Sequence, residues 1–243
     1  MRGNVGNFDY IGENINAIRE KINKAVSNRD NKYINSKNRS VRLLAVTKTV
    51  GVDKINYAIS KGVNLIGENK AGELLEKYDR LNKDGLEIHF IGNLQTNKVR
   101  YIIDKVNLIQ SVNSVRLAEE INKRAAQKNI KMDVLIELNI GGEESKAGID
   151  PEKTFEFINA LKDFENLKIK GLMTIPPPVF DNKSEINKFF DRMYEIFIDI
   201  SAKKADNIDM RILSMGMSED YEEAISRGSS MVRLGRAVFG ERL

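Results

Sequence analysis

The sequence predicts an α/β fold, a single (β/α)8 barrel of the TIM type with an extra N-terminal helix. The first observation is a series of eight short apolar runs after residue 40, each the length of a strand. Runs rich in Val, Ile and Leu without strict alternation are typical of strands covered on both faces. The second is that helical patterns separate the runs, which favours a parallel barrel. The third is that no GxGxxG motif follows the first run, so an open doubly wound sheet is the weaker alternative.

The individual elements can be assigned from the spacing of apolar residues. A helical period over 10–26 predicts an amphipathic N-terminal helix, and the polar residues that follow, up to residue 40, predict a loop. The segments 115–129 and 184–204 have apolar positions every three or four residues and are predicted crossover helices. The eight predicted strands are 42–47, 63–67, 87–92, 108–112, 132–140, 167–175, 210–215 and 231–234.

The arrangement of these elements leaves the barrel one crossover helix short. The last predicted strand is followed almost at once by the final residue, so we expect no eighth helix there. We infer that the N-terminal helix closes the outer ring instead. A chain of 243 residues suits one barrel and has no room for a second large domain, so we expect one domain over 1–243, with the barrel at about 41–240.

The composition excludes several kinds of chemistry. The chain has no cysteine and one histidine, which excludes disulfides, thiolate nucleophiles, Cys-ligated metals and two-histidine metal sites. The formal net charge is +4, but basic and acidic residues are interleaved, which argues against a nucleic-acid partner. The first ten residues lack the apolar run of a signal peptide, and no later stretch has membrane-spanning length. We expect a cytoplasmic protein with no membrane partner.

Lys48 is the first candidate for chemistry. It directly follows the first apolar run, and the active sites of (β/α)8 barrels lie at the C-terminal ends of the strands. Desolvation at such a position lowers the pKa of an amine and favours its nucleophilic form. Lys48 is therefore a candidate for Schiff-base formation, with a solvated loop lysine as the alternative.

A candidate phosphate site lies near the other end of the chain. The seventh run leads into Ser214, Gly216 and Ser218 ahead of a helical pattern, and the eighth run leads into Gly235. Small residues before a helix leave backbone N–H groups available for an anion, and the loops after strands seven and eight of such barrels frequently bind phosphate. The alternative is a helix cap at Ser218 and a turn at Gly216, which is compatible with phosphate binding. A lysine and a phosphate site at one barrel mouth match the two anchors of a phosphorylated aldehyde.

Six short motifs occur in order along the chain. They are LAVTK at 44–48, GEN at 67–69, HFIGNLQTNK at 89–98, NIGGEESKAG at 139–148, GLMT at 171–174 and SMGMS at 214–218. With these motifs the sequence resembles the pyridoxal phosphate homeostasis protein family, also called the YggS/PROSC family. The resemblance extends from the N-terminal helix to Gly240.

The resemblance implies a fold like the N-terminal domain of alanine racemase, with pyridoxal 5′-phosphate (PLP) as the cofactor and Lys48 as the Schiff-base lysine. It implies that Asn69 and Arg233 lie close to the cofactor. Arg236 departs from the family, which usually carries Ser or Thr there, so a hydroxyl donor is missing and either the side chain or only the backbone N–H reaches the phosphate. The residues that match positions around the phosphate are Ser214, Gly216, Met217, Ser218, Gly235 and Arg236.

Several other polar residues lie in or after predicted strands. His89 is flanked by apolar residues, and we interpret it as a buried, hydrogen-bonded core histidine rather than a catalytic one. Asn139 could line the site or shape its loop. For Met173 and Thr174, core packing is the alternative to a place at the site. The residues that could line the mouth or cap the next helix are Gln95, Asn97 and Lys98.

For function, the sequence favours a carrier of PLP over an enzyme. Catalysis also requires a bound substrate and placed proton donors and acceptors. Related racemases have a second, β-rich domain that helps to form a two-base site, and we expect no such domain after this barrel. We expect a monomeric PLP homeostasis protein with little or no turnover that passes PLP to apo-enzymes. An amino-acid racemase is the alternative, and a lysine-dependent aldolase is a third reading that the motifs disfavour.

Overall fold

Eight parallel strands hydrogen-bond in sequence order and close into a barrel, as predicted. The structure is a computed structural model that describes residues 8–33, 40–143, 146–177, 183–203 and 207–241. The strands are β1 (Arg42–Val46), β2 (Leu65–Glu68), β3 (Glu87–Phe90), β4 (Leu108–Val112), β5 (Met132–Leu138), β6 (Leu167–Thr174), β7 (Ile208–Ser214) and β8 (Met231–Leu234).

Helices connect the strands and form the outer layer. They are α1 (Asp9–Ser27), α2 (Val52–Ser60), α3 (Ala71–Tyr78), α4 (Thr96–Ile102), α5 (Val115–Gln127), α6 (Thr154–Ala160), α7 (Lys183–Ser201), α8 (Tyr221–Ser226) and α9 (Arg236–Phe239). Short 3-10 turns lie at Asn31–Tyr33 and Pro151–Lys153. The end of the predicted helix at residue 204 lies outside the described residues.

The strands are apolar on both sides because each side meets a different core. Outward side chains such as Ala45, Ile66 and Ile109 pack with the helices in the main hydrophobic cluster. Inward side chains fill the barrel in two smaller clusters, and Ile212 packs against both. The first inner cluster is Leu44, Val46, Leu65, Ile91 and Met231, and the second is Leu108, Leu135 and Met173.

The N-terminal helix completes the outer ring, as inferred from the sequence. The buried face of α1 includes Ile11, Ile15 and Ile18, and the helix packs against α2, α8 and α9. Tyr10 and Asn14 donate side-chain hydrogen bonds to the carbonyls of Phe239 and Val238. The expectation that no helix follows the last strand was wrong, because α9 forms one turn there and gives α1 a surface to pack on.

A buried arginine holds the start of the loop after α1. The Arg29 guanidinium donates to the carbonyls of Ile225 and Ser229, which fixes this segment to α8 and the turn before β8. The described part of the predicted loop is confirmed, with a 3-10 turn inside it, and residues 34–39 lie outside the described residues.

Several predicted strands extend past their observed ends, and the difference marks the site. Thr47, Gly92 and Ile140 were assigned to strands, but the strands end before them and the chain turns toward a helix. In a parallel barrel all of these C-terminal strand ends lie at one rim, which we call the mouth.

Among the described residues, no helix is long and apolar enough to cross a membrane.

Candidate functional site

The sequence-predicted site residues lie at the ends of four consecutive strands. Lys48 follows β1, Asn69 follows β2, Arg233 lies in β8, and the others are at the end of β7 or directly after β7 and β8. These strands are neighbours in the barrel in the order β7, β8, β1, β2. The fold therefore brings all the predicted residues to one sector of the mouth.

Lys48 is half-buried two residues beyond the end of β1. Its neighbour Thr47 donates its backbone N–H to the Gly67 carbonyl at 2.9 Å, so β1 and β2 remain paired up to this point. The lysine thus starts from a backbone that the sheet still holds, which suits a residue that must present its amine in one direction.

Arg233 places a cation at the bottom of the mouth. Its side chain points into the barrel and is buried. The guanidinium Nη1 donates to Ser214 Oγ at 2.8 Å, and Nη2 donates to the Thr174 carbonyl at 2.7 Å. Burial lowers the pKa of Arg233 to about 10, while the charges of Asp220 and Glu137 oppose that shift, so the group remains a cation at neutral pH.

A chain of hydrogen bonds continues from Arg233 into the barrel. Ser214 Oγ donates to Gln110 Oε1 at 2.7 Å, and Gln110 Nε2 lies 2.9 Å from His89 Nδ1. The other imidazole nitrogen, Nε2, faces the Glu87 carboxylate at 3.5 Å. Glu87 also accepts from Arg42 at 2.8 Å, at the opposite end of the barrel from the mouth.

Arg233 determines which atom donates and which accepts in each hydrogen bond of this chain. A guanidinium can only donate, so the Ser214 proton must point to the Gln110 oxygen. The amide nitrogen of Gln110 then faces His89 Nδ1, which must accept, and the imidazole proton lies on Nε2 toward Glu87. Burial lowers the pKa of His89, which agrees with a neutral ring, and the prediction of a buried, hydrogen-bonded core histidine is confirmed.

The loop after β7 forms a close-packed cradle. Gly216 has a φ of +97°, and a Cβ there would lie 2.7 Å from the Ala224 Cβ. Its carbonyl accepts from the Arg233 backbone N–H at 3.0 Å, which joins this loop to β8. Among the described residues, the N–H groups of Gly216 and Ser218 donate to no protein acceptor. The Met217 N–H, in contrast, donates to Asp220 Oδ1 at 2.6 Å, and burial raises the pKa of that carboxyl.

The remaining predicted phosphate residues lie beside the cradle. Ser218 Oγ accepts from the Ala237 N–H at 3.3 Å, which links the cradle to α9. A Cβ on Gly235 would lie 3.5 Å from Val46 Cβ, so Gly235 lies against the end of β1. The Arg236 side chain is exposed, and its guanidinium donates to the exposed Glu219 carboxylate.

Asn69 has an unsatisfied polar atom. Its Oδ1 is buried and has no hydrogen-bond partner among the described residues. Gly92 packs directly against the Asn69 backbone, since a Cβ on Gly92 would lie 2.1 Å from the Asn69 carbonyl oxygen. Such an atom at the mouth is a candidate contact for a ligand.

Two inward polar residues were not predicted. Gln110 lies in β4, and Glu137 lies in β5 with its carboxylate accepting from Asn113 at 3.1 Å. Burial raises the pKa of Glu137, and the positive charge of Arg233 opposes that shift. A polar residue within an otherwise apolar strand was the signal that could have identified both.

Other residues from the sequence analysis have structural roles or lie apart from these contacts. Asn139 Nδ2 donates to the Glu143 carbonyl at 2.8 Å, so its amide shapes the loop after β5. Met173 packs in the second inner cluster, and the Thr174 carbonyl is an acceptor for Arg233. Gln95, Asn97 and Lys98 are exposed around the start of α4.

Comparison with known proteins shows which families the sequence and fold resemble. The family model described as the N-terminal domain of alanine racemase matches residues 10–243. A pyridoxal phosphate homeostasis protein of Aquifex aeolicus is 44% identical over 201 residues, which is 83% of this chain and 87% of that protein. Another from Haemophilus influenzae is 37% identical over 96% of both chains. The structure of PipY from Synechococcus elongatus with PLP bound has a TM-score of 0.80 and 26% identity, covering 95% of this chain and 100% of that chain.

The fold and the matched family model define the class as a barrel of the alanine racemase N-terminal-domain type. Within that class the relatives are close enough over nearly the whole chain to decide the family. The chain belongs to the pyridoxal phosphate homeostasis protein family, and the predicted resemblance is confirmed.

The buried network predicts how the single histidine titrates. Because burial lowers the folded-state pKa of His89 below the usual value of about 6.5, the unfolded chain takes up the proton first as pH falls. This residue therefore lowers the free energy of unfolding below about pH 6.5 and does not do so above it. An NMR titration of the one imidazole should show an Nε2–H tautomer and no midpoint between about pH 6.5 and pH 8. A midpoint in that range, or an Nδ1–H tautomer, would contradict the network.

Proposed function

We propose that this protein binds PLP through a Schiff base on Lys48 and acts in cytoplasmic PLP homeostasis as a cofactor carrier with little or no turnover. The observation that carries the proposal is the meeting of Lys48, the Gly216 cradle and the buried Arg233 at adjacent strand ends. Membership of the pyridoxal phosphate homeostasis family supports it. The PLP-bound PipY structure supports the same cofactor.

The described residues fit such a cofactor. The cradle has N–H donors at Gly216 and Ser218 without acceptors among the described residues, and a positive-φ glycine that would let the backbone approach an anion closely. Asn69 Oδ1 is a buried acceptor without a described partner. Lys48 supplies the amine on the neighbouring strand.

Each predicted residue then has a role in holding PLP. We assign the phosphate to the cradle formed by Gly216, Met217, Ser218 and Gly235, with Arg236 contributing its backbone N–H. Use of the Met217 N–H requires the Asp220 carboxylate to release it. Ser214 contributes through Arg233, since its hydroxyl is already bonded to that guanidinium and to Gln110.

Arg233 is the reason to expect little turnover. When bound, PLP supplies an aldehyde that captures amines and a ring that can withdraw electrons from a carbanion. We place Arg233 at the pyridine nitrogen, where a permanent cation disfavours protonation of the ring and makes it a poorer electron sink. Only two of the five N–H donors of the guanidinium are used in the bonds to Ser214 and Thr174.

An amino-acid racemase is the alternative function. Glu137 is the observation in its favour, because a buried carboxyl with a raised pKa near the mouth could exchange protons. A racemase needs a second group on the opposite face, and the described residues provide no second imidazole and no thiol for this.

The proposed carrier function includes a role as a monomer that hands PLP to apo-enzymes.

The first test concerns the lysine. Reduction of the PLP-loaded protein with borohydride, followed by peptide mapping, should place the pyridoxyl group on Lys48. Lys54→Ala is the matched control, since Lys54 is also half-buried and lies in the following helix, and it should keep the label on Lys48. Label found chiefly on another lysine in the wild-type protein would refute the assignment.

The second test concerns the phosphate. Ser218→Ala should weaken PLP binding by about 1.5 to 3 kcal/mol, the value of one hydrogen bond to the charged phosphate, and Ser214→Ala should weaken it by a similar amount because the hydroxyl that holds Arg233 is lost. That corresponds to roughly ten- to a hundredfold in Kd, measured by equilibrium dialysis. Ser226→Ala, at the far end of α8, should leave Kd unchanged. If Ser218→Ala binds as the wild type does, the phosphate is held elsewhere, and if Ser214→Ala does, the bond from Ser214 to Arg233 does not contribute to PLP binding.

The third test separates carrier from racemase. The PLP-loaded protein should change the enantiomer ratio of a panel of L- and D-amino acids at a trace rate only, because Arg233 disfavours carbanion formation. A rate in the usual enzyme range of about 1 to 1,000 per second would establish the racemase and remove the carrier interpretation.

A further inference from the structure

The two peptide groups on either side of Lys48 are held by one helix. The Thr47 carbonyl accepts from Lys77 Nζ at 2.8 Å, and the Thr49 N–H donates to Glu73 Oε1. Lys77 and Glu73 both lie in α3, one turn apart, and pair with each other at 2.6 Å. A single ion pair on α3 therefore binds the backbone before and after the lysine.

A third charged residue completes this cluster. Glu68 Oε1 accepts from Lys77 Nζ at 2.9 Å and from the Thr47 hydroxyl at 2.6 Å. The three donors of the Lys77 ammonium are thus matched by Thr47, Glu68 and Glu73. Glu68 is 1% exposed, and burial raises the pKa of its carboxyl.

The backbone next to Lys48 is strained. Thr49 has a φ of +63°, a left-handed conformation that a β-branched residue rarely adopts. Its hydroxyl donates to the Lys48 carbonyl at 2.6 Å. Residues in such conformations persist where the surrounding contacts over-determine them, and they cluster at functional sites.

General stabilisation is a weak explanation for this arrangement. Buried ion pairs often add no stability beyond what apolar residues of similar volume would give, because desolvation offsets the attraction. The position of this cluster is better explained by a role in orienting Lys48. The cluster of Lys77, Glu73 and Glu68 bonds to the backbone of Thr47 and Thr49, so it fixes the orientation of the residue between them.

We propose that Lys77, Glu73 and Glu68 are positioning residues for Lys48, which hold its backbone so that the amine is directed to the aldehyde carbon of PLP. The inference rests on the proposed Schiff base at Lys48. Its consequence is that the cluster controls how much bound PLP becomes covalent, while the phosphate cradle on β7 and β8 controls how much PLP binds.

The test measures covalent and total PLP in the same sample. Lys77→Met and Glu73→Gln proteins are saturated with PLP, total PLP is measured after gel filtration, and the covalent part is trapped with borohydride. The ratio of covalent to non-covalent PLP should fall about ten- to a hundredfold in each variant, the effect of one hydrogen bond to a charged group. Lys77→Arg keeps the charge and donors and should restore part of the ratio.

Glu120→Gln is the matched control. Glu120 pairs with Arg124 at 2.6 Å, also one turn apart on a helix, with side chains exposed to a similar extent. A purely structural role would lower the melting temperature in Glu73→Gln and Glu120→Gln alike and leave the covalent ratio unchanged in both. The proposal expects the ratio to change in Glu73→Gln only.

Each outcome decides the matter. A wild-type ratio in Lys77→Met and Glu73→Gln, with Lys48 labelled in the wild-type protein, overturns the positioning role and leaves the proposed function intact. If the wild-type protein carries no label on Lys48, the proposed function fails and this inference fails with it. Should Lys77→Met not fold, Glu73→Gln decides, because its amide keeps the size of the side chain.

Discussion

The burial of the Arg233 guanidinium is the constraint that organises the inside of this barrel. A buried charge must be matched by acceptors, and the Thr174 carbonyl and the Ser214 hydroxyl provide them. Because the arginine only donates, the orientations of Ser214, Gln110 and the imidazole follow in sequence. The chain of bonds ends at Glu87 and Arg42, an ion pair that is partly exposed at the other end of the barrel.

The barrel interior therefore contains both a polar hydrogen-bonded chain and apolar clusters. Two apolar clusters, bridged by Ile212, share the barrel interior with the polar chain. Losing one member of the chain would leave a buried donor or acceptor without a partner, which costs about 1 to 3 kcal/mol. A network of this kind keeps Arg233 in one place, and a fixed cation is what the proposed role at the pyridine nitrogen requires.

Most of the fold could be predicted from the sequence because the strands are buried on both faces. Apolar runs marked all eight, and β4 and β8 matched to the residue. The ends of β1, β3, β5, β6 and β7 were overextended, because apolar residues such as Ile140 and Ile175 continue past the last ladder bond, whereas β2 runs one residue past its predicted end, to Glu68. The one-turn helix α9 was missed because four residues show no period.

The site was predictable where a residue follows a strand and not where contacts span the chain. Lys48 and the SMGMS motif are visible from position, whereas the bond from Ser214 to Gln110 joins residues 104 positions apart. The bond from Lys77 to Thr47 joins residues 30 positions apart, and no local pattern indicates it. For Ser214, position suggested a phosphate contact, but only the structure shows that its hydroxyl bonds to Arg233 and Gln110.

The central claim is that this barrel holds PLP as a Schiff base on Lys48, and the visible absorption spectrum tests it most directly. The PLP-loaded wild-type protein should be coloured, with a band that survives gel filtration, and Lys48→Ala prepared in the same way should lose that band. A colourless wild-type protein, or an unchanged band in Lys48→Ala, would contradict the account.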